Sequence, residues 1–126
     1  MKTIINTNNA PAPIGPYSQA VVAGNFIFVS GQIALHPATG ELITADIKTE
    51  TKQVMENIKA ILNEAGLDFS NIIKTSIFLM DMQNFAQVNE VYGTYFTDNF
   101  PARETVQVAG LPKGVNVEIT VTAIKG

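Results

Sequence analysis

Arg103 and Glu118 are the two residues whose types and settings best fit chemistry on a small molecule. Arg103 follows Phe100-Pro101-Ala102, a stiffened turn that presets the direction in which the chain continues. A guanidinium offers a rigid fork of N–H donors that matches a carboxylate bidentately. In an extended segment from Glu104 to Ala109, the two-residue period puts Arg103, Thr105 and Gln107 on one side. Glu104, Val106 and Val108 then face the other way. A second segment, Val115 to Ile124, alternates Val115, Val117, Ile119, Val121 and Ala123 with Asn116, Glu118, Thr120 and Thr122. Pairing the two segments as a hairpin brings Arg103 and Glu118 onto a shared polar face. There Glu118 can orient a water or shuttle a proton beside an anion held by Arg103. The same spacing also fits a solvated ion pair worth about 0–1 kcal/mol and without function.

Other positions are weaker candidates. Asn89 falls inside the stripe Phe85, Val88, Tyr92, Tyr95, Phe96, and reads either as a core amide with a local partner or as a ligand-facing one. Tyr17 and Ser18 emerge from a segment rich in proline and glycine. Ser30-Gly31-Gln32 ends an apolar strand, where a hydroxyl and bare backbone can approach a ligand. His36 sits in the turn His36-Pro37-Ala38-Thr39-Gly40 and reads as an ordinary surface residue.

These residues need elements to position them. Lys2 to Asn6 suits a short strand, and Asn9 to Tyr17, with three prolines, suits neither ladder nor helix. Ala20–Ala23 and Asn25–Ser30 read as a hairpin turning at Gly24-Asn25. A helix is expected from Thr44 or Asp46 to Ala65, stopped by Gly66, with Ile47, Val54, Met55, Ile58, Ile61 and Leu62 as its apolar stripe. Ile72–Met80 is a strand, and a second helix spans Asn84 to Phe96. The order β-ββ-α-β-α-ββ predicts one α/β (α+β) domain over residues 1–126: a mixed sheet with both helices on one face. Phe26-Ile27-Phe28-Val29 and Ile72 to Met80 are apolar on both sides. Helices on one face leave the other wanting a partner, and a homo-oligomer supplies it economically.

Composition narrows the function. The 126 residues are 46% hydrophobic and 15% charged, a globular balance. A net charge of −3, a pI near 5.0 and scattered basic residues argue against a general nucleic-acid binder. With no cysteine and one histidine there is no thiolate zinc site, cysteine nucleophile or His-rich metal site to expect. No segment approaches the roughly 20 apolar residues of a membrane span, and Met1 to Asn6 carries no leader-like apolar run, so a cytoplasmic protein is expected.

Several motifs line up, in order, with one family. Ile14-Gly15-Pro16-Tyr17-Ser18-Gln19-Ala20, Ser30-Gly31-Gln32-Ile33, Asp46-Ile47, Gln53-Val54 and Asn57-Ile58 resemble the Rid family, the YjgF-like reactive intermediate deaminases. So do Phe85 to Tyr92, Pro101-Ala102-Arg103, Leu111-Pro112-Lys113 and Val117-Glu118-Ile119. The resemblance implies a chorismate-mutase-like fold assembled as a homotrimer with sites between subunits. It implies hydrolysis of enamine and imine acids such as 2-aminoacrylate and 2-iminobutanoate to 2-keto acids and ammonia, with no cofactor or metal. Carried over by position, the family's carboxylate-binding arginine falls on Arg103 and its water-positioning glutamate on Glu118. Its ligand-contacting tyrosine falls on Tyr17, its helix asparagine on Asn89, and its strand-end contacts on Ser30 and Gly31. Members often carry Cys where this chain has Thr105, Ser where it has Glu104, and Arg where it has Gly110. Thr105 keeps a small polar group beside Arg103, so a thiol-dependent route is excluded while hydrolysis is not. Glu104 is expected to face away by the alternation of its strand; pointing inward, a second carboxylate would repel an anionic substrate.

Two other functions compete. A non-enzymatic trimer binding 2-keto acids or other small carboxylates would use the same arginine, but it gains nothing from Glu118. A ribonuclease or translation inhibitor, names attached to some members, fits poorly with the acidic charge and the lack of a basic, aromatic-lined stripe.

Overall fold

The computed structural model describes residues 1–126. The elements follow the expected order: β1 (Lys2–Ile5), β2 (Ala20–Ala23), β3 (Phe26–Gln32), α1 (Ile47–Glu64), β4 (Ile72–Leu79), α2 (Phe85–Gly93), β5 (Ala102–Gln107) and β6 (Val117–Ile124). Short 3-10 turns lie at Phe69–Asn71, Met82–Asn84 and Pro112–Gly114. No helix is long and apolar enough to cross a membrane.

Local chemistry explains the boundaries. Asp46 caps α1 by accepting the Thr49 N–H at 2.8 Å, and Gly66, at φ +77°, ends it in the left-handed conformation that glycine tolerates. Thr44 therefore lies outside the helix. α2 stops at Gly93, three residues before the expected end. Past Val91 the amides of Thr94, Tyr95 and Phe96 reach back only three residues, and the rings of Tyr95 and Phe96 pack on Phe69 at 5.0 and 5.7 Å. Burying both rings on Phe69 wins over one more helical turn.

The strands form one sheet in the order β1-β2-β3-β6-β4-β5. Only β4 and β5 run parallel, as a strand–helix–strand crossover through α2 requires. The expected hairpin of β5 with β6 does not form. β6 buries Val117, Ile119, Val121 and Ala123 and takes a central place between β3 and β4. β5, with charged and polar side chains on an exposed strand, takes the edge.

One face carries the core. Ile27, Val29, Ile77, Leu79 and the apolar side of β6 pack under Val54, Met55, Ile58, Ile61 and Leu62 of α1 and Val88 and Tyr92 of α2. The other face has no cover: Phe28 is 50% exposed and Val106 is 42% exposed. Near the end of β3 the ladder to β6 slips between Val29 and Gln32, so Ser30 and Gly31 together oppose Thr120 in a β-bulge.

Candidate active site

The candidate residues fall into two groups, separated by the parity of the sheet. Thr75 of β4 pairs with Arg103 on one side and Val121 on the other, so Arg103 shares the helix-covered face with Val121. Phe78 pairs with Val106 and with Glu118, so Glu118 lies on the uncovered face. Within one chain, Arg103 and Glu118 point to opposite faces, with β4 between their strands. This corrects the expectation of a shared polar face. The alternation along each strand was legible, but its premise, that β5 and β6 are neighbours, was wrong.

The first group surrounds Arg103. Its guanidinium carbon lies 5.1 Å from the centroid of the Tyr92 ring and 5.7 Å from that of Phe85, so two aromatic faces of α2 hold the fork in place. Tyr92 is itself fixed, since its hydroxyl donates to Thr75 Oγ1 at 2.9 Å. A hollow of about 320 Å³ opens here, lined by Asn89, Tyr92, Gly93, Phe100, Pro101 and Arg103. The turn that launches Arg103 begins at Asn99, a left-handed residue at φ +50°. Thr105, next along the same face, has a buried hydroxyl without a hydrogen-bond partner. Glu104 points to the uncovered face, away from Arg103. There Ser76 donates to its carboxylate and Lys74 pairs with it at 2.9 Å, and both hold its pKa below the ordinary value.

The second group surrounds Glu118. A narrow pocket of about 40 Å³, large enough for water, is lined by Ile14, Tyr17, Gly31, Pro112 and Glu118 among others. The Tyr17 hydroxyl accepts the Ile14 N–H at 3.1 Å, which closes the proline-rich segment over this pocket. Neither ion pair of the chain involves Glu118, and partial burial pushes its carboxyl above its ordinary value. Ser30 does not line the pocket. Its hydroxyl donates to the Ser18 carbonyl at 2.6 Å and ties the bulge to the segment carrying Tyr17. His36 stays in its turn, accepting the Ala38 N–H at 3.1 Å.

Gly31 has a steric reason to be glycine. A Cβ there would lie 2.9 Å from Glu118 Oε2 and 3.1 Å from Thr120 Oγ1. The missing side chain lets the carboxylate lie against bare backbone. Gly31→Ala is therefore expected to push Glu118 aside while the sheet persists. A displaced reacting group commonly costs roughly 10²-fold; a loss of that size in kcat/KM, with an unchanged melting temperature, is the expected result.

Sequence reasoning missed Phe85 and Tyr92 as the seat of Arg103, because at helical spacing they read only as core. It also missed Glu50, a fully buried carboxylate on α1. Its signal was present, since Glu50 lies three residues after Ile47 and four before Val54, inside the apolar stripe. No three His, Asp or Glu side chains cluster as metal ligands would.

Residues 7–125 match the family described as endoribonuclease L-PSP. The chain belongs to that family, which includes the Rid (YjgF-like) proteins. Among its members, a RutC family protein of Pyrococcus horikoshii is 54% identical over 99% of each chain. The human 2-iminobutanoate/2-iminopropanoate deaminase is 47% identical, covering 100% of this chain and 92% of its own. The crystal structure of E. coli TdcF with bound serine superimposes with a TM-score of 0.94 at 44% identity, covering 98% of this chain and 99% of that one. The six-stranded sheet with two helices on one face is thus the family's fold.

Proposed function

We propose that this protein hydrolyses small enamine and imine acids, such as 2-aminoacrylate and 2-iminobutanoate, to 2-keto acids and ammonia in the cytoplasm. The observation that carries the reading is Glu118: a half-buried carboxylate with no cationic partner, lying against bare backbone in a pocket that admits water. A site that only captured carboxylates would gain nothing from it. The deaminase name of the human relative supports the same reaction class.

In this reading Arg103 grips the substrate carboxylate through its fork and Asn89 flanks the ligand beside it, while Thr105, whose hydroxyl is buried and which does not line the hollow, lies behind Arg103. An enamine such as 2-aminoacrylate first takes a proton from solvent at C3, its C=C pair forming that bond as the nitrogen lone pair forms C=N. With the imine nitrogen protonated, the C=N carbon is electrophilic. Glu118 takes a proton from the water as its oxygen bonds to that carbon, and the π pair moves onto nitrogen. The resulting carbinolamine accepts a proton on nitrogen. The C–N bond then breaks, ammonia leaves, and the hydroxyl proton is shed as the C=O forms. The substrate is already reactive, so orientation of water and carboxylate supplies most of the required acceleration. Tyr17 closes the wall on the Glu118 side, with Ser30 bracing the bulge beneath it.

Because Arg103 and Glu118 face opposite sides of the sheet, the proposed site joins the Arg103 group of one copy to the Glu118 group of a neighbour. The exposed Phe26, Phe28, Ile73 and Val106 supply an apolar surface for such a homotrimer. The decisive experiment generates 2-iminobutanoate in situ with a threonine dehydratase and follows keto-acid formation. Acceleration by micromolar protein is expected, and none would overturn the reading. Keto-acid binding without acceleration would favour the carboxylate-binding module instead, a reading that the serine bound to E. coli TdcF keeps open. An RNA substrate is disfavoured by the net charge of −3.

A further inference from the structure

Glu50 is fully buried, and neither ion pair of the chain includes it. What replaces water around it is a set of N–H donors. The Asn116 backbone N–H donates to Oε2 at 2.8 Å, the Asn116 side-chain amide donates to Oε1 at 2.8 Å, and the Val117 N–H donates to Oε2 at 3.2 Å. Glu50 also stands in the first turn of α1, where the positive end of the helix dipole favours an anion. The Asn116 carbonyl is held from another side, accepting the Met80 N–H at 3.1 Å just past β4. The bend at Asn116 is therefore clamped by α1 and by β4. The next two residues are Val117, whose side chain enters the core, and Glu118.

This contact does more than glue a helix to a strand. Apolar packing joins such elements without the cost of burying a charge, so a buried carboxylate is weak evidence for stability alone. What it adds is direction: both oxygens accept at a single bend, which leaves the backbone little freedom to rotate. The segment needs such a constraint. It follows Pro112–Gly114, where Lys113 (φ +56°) and Gly114 (φ +68°) are both left-handed, and Pro112 lines the Glu118 pocket.

We propose that Glu50 is a positioning residue for Glu118: by gripping the Asn116 side chain on one oxygen and the Asn116 and Val117 N–H groups on the other, all three bonds being needed, it sets the angle at which the Glu118 carboxylate enters its pocket over Gly31. The kinetic consequence rests on the deaminase reading, whereas the geometric one does not. Glu50 touches no substrate and acts only through Glu118.

The test uses Asn116→Ala, Glu50→Ala and Glu50→Gln in the full chain, each alone and with Glu118→Gln. Asn116→Ala removes one arm of the clamp and leaves both backbone N–H bonds, so it keeps the test open should Glu50→Ala fail to fold. A 10- to 100-fold loss of kcat is expected with 2-oxobutanoate affinity within twofold of the parent. Glu50→Gln is expected to recover most of that loss, since its oxygen can accept both backbone N–H groups while a rotated Asn116 amide accepts from its nitrogen. In the Glu118→Gln background the Asn116→Ala loss is expected to vanish. An equal loss in both backgrounds, or kcat and affinity falling together, would overturn the proposal. A crystal structure of Asn116→Ala supplies the arm independent of activity. Displacement of the Glu118 carboxylate from Gly31 supports positioning even if no deamination is found, and an unmoved carboxylate refutes it.

Discussion

Arg103→Ala is expected to lower kcat/KM for 2-iminobutanoate hydrolysis by roughly 10²–10⁴-fold while leaving the fold and the assembly unchanged. The magnitude follows from the bonds removed. Two hydrogen bonds to charged groups contribute about 1.5–3 kcal/mol each, and each 1.36 kcal/mol is about tenfold in rate. The substrate carboxylate is also the handle by which the imine carbon is aimed at the water, so affinity and turnover should both fall. The fold should tolerate the change because Arg103 belongs to neither ion pair and projects from the edge strand β5 into an open hollow. Arg103→Lys is the informative companion. It keeps the charge but loses the fork and much of the stacking on Phe85 and Tyr92, so an intermediate rate is expected. Steady-state kinetics with circular dichroism and sedimentation check all three statements. Full activity in Arg103→Ala would move the site elsewhere.

Glu118→Gln should behave differently. The amide keeps the size of the carboxylate and still fits against Gly31, but it cannot take a proton from water. Removing a general base commonly costs roughly 10²–10⁴-fold. The loss is expected in kcat, with 2-oxobutanoate affinity retained or improved, because an anion has left the vicinity of an anionic ligand. The pH profile gives a sharper check. Burial raises the Glu118 carboxyl above the ordinary glutamate value of 4.5. A base works only when deprotonated, so kcat/KM should rise with pH through a midpoint above that value. In Glu118→Gln this acidic limb should be absent. A limb of unchanged position in the variant would assign it to another group. Loss of affinity without loss of kcat would make Glu118 a ligand-binding group and remove it as the base.

The contrast between what sequence reveals and what it hides is visible in particular residues. β2 was legible to the residue because Gly24-Asn25 marks its turn, and α1 to within a turn at its start and one residue at its end because Asp46 and Gly66 bracket one apolar stripe. These are local signals, set by backbone conformation and capping. The neighbours of β5 were not legible. Alternation tells which residues share a face of a strand, but the partner of that strand depends on the crossover through α2 and on the competition for the sheet centre. β6 wins that centre because its one apolar face is continuous. Hence the side of its own strand on which each of Arg103 and Glu118 lies was readable from alternation, while their mutual placement was not. Asn89 shows the same limit: helical spacing cannot separate a core amide from one lining the Arg103 hollow. The seat of Arg103 on Phe85 and Tyr92 was hidden for a related reason, since a ring that packs a core and a ring that carries a cation have the same periodicity.

The parity of β4 has a consequence for inheritance. Thr75 sends Arg103 to one side of the sheet and Phe78 sends Glu118 to the other, so each chain holds both halves of the proposed centre but never its own pair. In the proposed trimer a copy lacking the arginine would still lend a sound glutamate to its neighbour, and a copy lacking the glutamate would still lend a sound arginine. Two alleles that are each inactive alone would then rescue one another when expressed together. A chain carrying both lesions would rescue neither.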